Sequence, residues 1–230
     1  MTSPIKLIVA LDFDNISSAL ALVDQLDPHQ CALKVGSEMF TAVGMDFVRM
    51  LVARQFKVFL DLKFHDIPNT VARSCAVAAD AGVWMLTLHA TGGIPMMRAA
   101  RLAIDTYGSI RPLLVAVTVL TSMSSLDLQA TGIHHTLQEH ACVLAKMAQA
   151  GGCDGVVSSA LEVPMIKTTC GADFISVTPG IRRASDTKDD QNRIVTPEMA
   201  LLAGSDYLVV GRPITRAVDP ALALRDFLTF

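Results

Sequence analysis

Two carboxylates and a lysine crowd into six residues, Asp61-Leu62-Lys63-Phe64-His65-Asp66, at the end of an apolar run. A strand that only supports a fold rarely carries charge in this way. Side chains alternate along a strand, so Asp61 and Lys63 share one face while Leu60, Leu62 and Phe64 share the other. Pro68 ends the strand and leaves Asp66 on the outgoing turn. A lysine held between carboxylates keeps its charge and is placed to hand over a proton, which marks an acid–base site. A salt bridge at a strand end is the plainer alternative.

Something must hold such a segment in place. Short apolar runs at residues 6–13, 31–35, 57–64, 84–89, 113–120, 155–158, 174–178 and 207–210 read as strands. Between them, residues 17–26, 38–54, 69–81, 95–105, 137–150, 161–169, 197–203 and 221–228 carry helical patterns. Eight β-then-α units predict an α/β protein, a (β/α)8 TIM barrel forming a single domain over residues 1–230, with a doubly wound open sheet as the alternative. Both architectures put sites at strand C-termini. Polar residues stand there: Asp12 closes the first strand, Lys34 the second, Asp61 and Lys63 the third, His89 the fourth and Thr121-Ser122 the fifth, while the strand starts carry little polarity. In a barrel these ends converge on one mouth.

Two further segments belong to that mouth. Residues 179–193 follow the seventh strand and are strongly polar, as a solvated lid would be, or a plain connector. After the eighth strand, Val210-Gly211-Arg212-Pro213-Ile214 supplies a close-approach glycine, a cation and a proline suited to starting a helix. Loops in these positions of such barrels commonly bind phosphate, helped by backbone N–H groups and the helix dipole.

Composition narrows the remaining classes. With 51% hydrophobic residues in 230, the chain can bury a large core, and a net charge of -3 argues against nucleic acid as a partner. Cys31, Cys75, Cys142, Cys153 and Cys170 are scattered, without a CxxC pair or zinc spacing, and fit reduced, mostly buried thiols of a cytoplasmic protein. No apolar run is long enough to span a membrane, and Asp12 interrupts the N-terminal run, so neither a membrane anchor nor a signal peptide is expected. Gly92-Gly93 reads as a tight turn, His134, His135 and His140 as solvent-exposed, the methionines as core filler, and Ser158-Ser159 lacks a nucleophile elbow.

Taken together, these motifs resemble the orotidine 5′-phosphate decarboxylases nearly end to end. Asp61 to Asp66 is similar to their DxKxxD signature, and Ile67-Pro68-Asn69-Thr70 to the extension typical of bacterial members. Leu11-Asp12, Lys34-Val35-Gly36, Leu120-Thr121-Ser122, Thr178-Pro179-Gly180-Ile181-Arg182 and Val210-Gly211-Arg212-Pro213 follow in the family's order.

The resemblance implies decarboxylation of orotidine 5′-monophosphate to UMP, with no cofactor and no metal, and Lys63 protonating C6 of the pyrimidine. Lys34, Asp61, Lys63 and Asp66 would form an alternating charge network, with Asp12 and Lys34 reaching the ribose hydroxyls. A homodimer is implied, in which Asp66 and Thr70 act across the interface. Thr121 and Ser122 would face the pyrimidine, with the base contact open between Ser122 and Ser124. Arg182, Gln191, Gly211 and Arg212 would hold the phosphate. Sugar-phosphate enzymes of the same superfamily share DxKxxD but use Mg²⁺ and carry a glutamate where Lys34 stands. A catalytically silent, nucleotide-binding barrel is the other class; its mark would be a lesion at Lys63 or Asp61, and both residues are intact.

Overall fold

The computed structural model describes residues 5–183 and 195–229. Eight parallel strands close on themselves in sequence order. They are β1 (Leu7–Ala10), β2 (Ala32–Gly36), β3 (Val58–Phe64), β4 (Met85–His89), β5 (Leu113–Val117), β6 (Gly155–Val157), β7 (Ile175–Thr178) and β8 (Tyr207–Val210). The helices are α1 (Ile16–Val23), α2 (Ser37–Ala53), α3 (Pro68–Asp80), α4 (Gly93–Asp105), α5 (Ser125–Ala130), α6 (Leu137–Ala150), α7 (Val163–Cys170), α8 (Pro197–Leu202), α9 (Arg212–Thr215) and α10 (Pro220–Asp226). The closed barrel expected from the eight β-then-α units is the one observed; the open sheet is not.

Alternation along each strand sorts its side chains into two cores. Ile8, Ala32, Phe59, Met85, Val115 and Val177 point inward and fill the barrel. Leu33, Val35, Leu60, Leu86, Leu88 and Val210 point outward against the helices. Strands buried on both faces read as continuous apolar runs, which is why they stood out in the sequence. Phe59 is 1% exposed and plugs the barrel beneath the site; truncating such a phenylalanine to alanine costs about 3–5 kcal/mol.

Several helix starts carry their own signals. Asn15 caps α1 by accepting the Ser18 N–H at 2.8 Å, and Thr136 with Glu139 forms a reciprocal capping box on α6. Pro68 is the first residue of α3, so it starts that helix, and β3 ends earlier at Phe64. The short α5 had no place in the sequence reading. Its overlooked mark is the Ser124 and Asp127 capping box. Two strands stop three residues earlier than expected. β1 stops at Ala10, leaving Asp12 beyond the last rung, and β5 stops at Val117.

The strand starts are more polar than expected. Asp154, just ahead of β6, accepts from Arg111 at 2.7 and 2.8 Å, Arg101 at 3.0 Å and the Leu114 N–H at 2.8 Å. Asp206, ahead of β8, accepts from Lys167 and the Ser176 N–H, both at 2.7 Å. Each aspartate satisfies an N–H of the preceding strand at the barrel floor, a stabilising role far from the mouth. Burial pushes the Asp154 carboxyl up, but the Arg111 bond, the Leu114 N–H and the two arginine charges more than offset this and hold it below its ordinary value.

Candidate active site

At the C-terminal mouth, three strands deliver charge to one point. β2 carries Lys34 inward, β3 carries Asp61 and Lys63, and the chain leaving β1 brings Asp12. Lys34 Nζ lies 2.9 Å from Asp12 Oδ1 and 3.7 Å from Asp61 Oδ2, and Lys63 Nζ lies 2.8 Å from Asp61 Oδ2. Asp61 is therefore shared between two ammonium groups, with only 11% of its side chain exposed. With so little water around Asp61, its attraction to each ammonium is stronger than in a surface pair, and the cost of desolvation and the repulsion between the two ammonium groups offset part of it. Gly36 makes room for this: a Cβ there would lie 2.9 Å from Lys34 Nζ.

The end of β3 is bent to reach this arrangement. Lys63 has φ +52°, a left-handed conformation that costs a residue other than glycine about 1–2 kcal/mol. Its N–H donates to Thr87 Oγ1 at 2.8 Å, and that hydroxyl donates to Asp61 Oδ1 at 3.0 Å. Thr87 sits on β4 and is completely buried. The sequence reading passed over it. The available signal was a lone hydroxyl at the position between Met85 and His89 on the inward face of an apolar strand.

The ion-paired groups form one wall of a cavity of about 260 Å³. Phe59, Val117 and Val209 line it from the barrel strands, Thr121 from the segment after β5, Arg182 from the segment after β7, and Arg212 from the start of α9. Arg182 is 5% exposed, and its N–H donates to Val195 O at 3.2 Å, joining the two ends of the loop that follows β7. Arg212 is the first residue of α9, ahead of Pro213. A Cβ on Gly211 would meet Ala10 and Asp12 at 3.7 and 3.8 Å, ordinary van der Waals contacts.

Of the expected site residues, Asp12, Lys34, Asp61, Lys63, Thr121, Arg182, Gly211 and Arg212 all line this cavity. Asp66 does not. It opens onto a separate recess with His65, Ile67, Pro68, Thr91 and Gly92, and its Oδ1 accepts the Ile67 N–H at 2.6 Å. Thr70 lies in the first turn of α3, also off the cavity. Ser122 is not on the wall, and Ser124 spends its hydroxyl capping α5 through Asp127 at 2.7 Å. Gln191 lies outside the described residues.

His89 closes β4 with its ring 5.5 Å from that of His65, and burial, followed by His65 and Lys63, pushes its pKa down. His134 and His135 are exposed as expected, whereas His140 is half-buried beside His135. All five cysteines are free, and burial drives Cys31, Cys75 and Cys153 up to about 12, far from thiolate chemistry at neutral pH. Among the described residues no helix is long and apolar enough to cross a membrane.

A parallel (β/α)8 barrel with ion-paired lysines and carboxylates at its C-terminal mouth has the form of a barrel enzyme, with its site where such enzymes carry theirs. Residues 5–227 match the model of the orotidine 5′-phosphate decarboxylase / HUMPS family, and the chain belongs to that family. It is 61% identical over 215 residues to an orotidine 5′-phosphate decarboxylase of Legionella pneumophila (strain Paris), covering 94% of each chain. To the enzyme of that name from Haemophilus influenzae (strain ATCC 51907 / DSM 11121 / KW20 / Rd) it is 56% identical over 225 residues, 98% of this chain and 97% of the other. The crystal structure of orotidine 5′-phosphate decarboxylase from Lactobacillus acidophilus matches with a TM-score of 0.87 at 41% identity, covering 97% of both chains.

Proposed function

We propose that this chain decarboxylates orotidine 5′-monophosphate to UMP without metal or cofactor, working as one catalytic domain, with Lys63 supplying the proton. The observation that carries the reading is the Lys34, Asp61 and Lys63 triad, with Nζ to Oδ2 distances of 3.7 and 2.8 Å. Lys34 Nζ stands between Asp12 and Asp61, the carboxylates that a divalent cation would need. An ammonium there repels Mg²⁺, which disfavours the sugar-phosphate branch of the same family.

The reaction breaks the C6–carboxylate bond and leaves its electron pair on C6, a vinylic carbanion with no adjacent carbonyl to take the charge. A fixed ammonium beside C6 stabilises that charge and then donates its proton to the carbon. Lys63 becomes a neutral amine and regains a proton from solvent. Asp61 holds the ammonium in place and also repels the substrate carboxylate; at ~4 Å and an effective dielectric of ~20 that repulsion is worth about 4 kcal/mol. Enzymes can remove ~23 kcal/mol or more from a barrier, so repulsion accounts for only a part. Binding of the distant phosphate by Arg182 and Arg212, with Gln191 from the loop after β7, supplies energy expressed in the transition state. Asp12 and Lys34 hold the ribose and Thr121 faces the base from the cavity wall; Ser122 lies off that wall and Ser124 Oγ donates to Asp127 at 2.7 Å, so a base contact through Ser122 rests on the family resemblance.

The working form in this reading is a cytoplasmic homodimer in which Asp66 and Thr70 complete the partner's site. Asp66 and Thr70 lie off their own cavity, and neighbouring Ile67 is 67% exposed, which supports that arrangement. The test is loss of orotidine 5′-monophosphate absorbance by purified protein, with and without EDTA, beside Lys63→Ala. Turnover that survives EDTA and vanishes in the variant is expected. Turnover abolished by EDTA would move the chain to the Mg²⁺ branch, and none at all would favour the silent barrel.

A further inference from the structure

Between β3 and β4 the ladder shifts in a way that singles out Thr87. Phe59 pairs with Met85 and Leu60 with Leu86, but the next pair is Phe64 with Leu88. Asp61, Leu62 and Lys63 therefore face the single residue Thr87, so β3 bulges where its catalytic side chains emerge. A bulged strand loses ladder acceptors for its N–H groups, and the Thr87 hydroxyl replaces one of them by accepting the Lys63 N–H at 2.8 Å. Having accepted from an amide, that hydroxyl has one proton to give, and it goes to Asp61 Oδ1 at 3.0 Å. Oδ2 is the oxygen left to meet Lys63 Nζ at 2.8 Å and Lys34 Nζ at 3.7 Å. The β-branch of threonine stiffens χ1, so the hydroxyl is held in this place.

We infer that Thr87 is a positioning residue for the decarboxylation: it locks the left-handed turn that aims Lys63 and turns Asp61 so that one carboxylate oxygen serves both ammonium groups. The inference rests on the function proposed above. Thr87 is absent from the cavity wall, so its effect falls on the geometry of the proton donor and not on substrate contacts.

Thr87→Val keeps the shape and removes both bonds, while Thr87→Ser keeps the hydroxyl. A misplacement of ~1 Å costs about a hundredfold in rate, so Thr87→Val is expected to lower kcat roughly tenfold to a hundredfold with little change in KM. Thr87→Ser should regain most of that kcat, and hydrogen exchange of the Lys63 amide should quicken in the valine variant only. A valine variant with kcat within about twofold of the parent, or a serine variant equally slow, overturns the role. Should the valine variant not fold, Thr87→Ala and Thr87→Ser decide it by the same readouts. A parent chain inert toward orotidine 5′-monophosphate defeats the proposed function. The lock is then judged by Lys63 amide exchange alone: unchanged exchange in Thr87→Val overturns it, and faster exchange restored by Thr87→Ser upholds it.

Discussion

Replacing Asp61 by asparagine removes one negative charge from between two positive ones and leaves the side-chain shape nearly unchanged. Asp61 Oδ2 lies 2.8 Å from Lys63 Nζ and 3.7 Å from Lys34 Nζ. At an effective dielectric of ~20 those separations correspond to about 6 and 4 kcal/mol of gross attraction. The first figure is discounted because the Lys63 side chain is 34% exposed, and the cost of desolvating the charges offsets part of both. Removing one partner of a buried pair costs about 3–5 kcal/mol. If that loss is felt fully in the transition state, kcat/KM falls roughly 10²- to 10⁴-fold. Asparagine also ends the repulsion of the substrate carboxylate, so ground-state affinity for orotidine 5′-monophosphate should rise relative to that for UMP, which has no carboxylate at C6. The assay is steady-state decarboxylation followed by absorbance, with calorimetric titration of both nucleotides. A kcat/KM within about tenfold of the parent refutes the electrostatic argument. A large fall in kcat with an unchanged ratio of the two affinities refutes the repulsion alone.

Arg212→Ala, which removes a cavity-lining cation after β8, should depress kcat/KM by several orders of magnitude; a change below about tenfold removes phosphate gripping from the mechanism. Lys63→Ala and Asp66→Ala chains, each inactive alone, should regain activity when unfolded and refolded together, because a mixed dimer joins an intact Lys63 on one subunit to an intact Asp66 on the other. No recovery on mixing argues against a site shared between subunits. Burial, then His65 and Lys63, lower the pKa of His89, so the folded protein binds that proton more weakly than the unfolded chain does. Stability from this group is complete above the unfolded value of about 6.5 and declines as pH falls from there toward the lowered folded value. Urea unfolding between about pH 7 and pH 5 should show a shallower acid loss in His89→Asn, and identical slopes in variant and parent would contradict the assignment.

Much of the architecture is local and was legible for that reason. Strands buried on both faces are apolar throughout, helices show their period, and caps such as Thr136 with Glu139 mark their own starts, so the alternation of eight strands with helices needs no tertiary information. The alternation that puts Asp61 and Lys63 on the inward face is equally local. The polar strand ends, from Asp12 to Arg212, could be named one at a time from the chain. Which of them meet could not. Lys34 reaches both Asp12 and Asp61 only because three parallel strands are held in register by closure of the barrel. Thr87 gained its place from a bulge between β3 and β4, a feature of how two strands pair and not of either strand alone. Asp154 and Asp206 likewise take their roles from the barrel floor, where the N–H groups of Leu114 and Ser176 are turned toward them. The sequence by itself determined which residues carry charge and on which face of its own element each one stands, because side-chain direction follows the backbone's short period. Only the tertiary structure decided which charges share a partner and which hydroxyl orders them, because those contacts join residues far apart in the chain through register and closure.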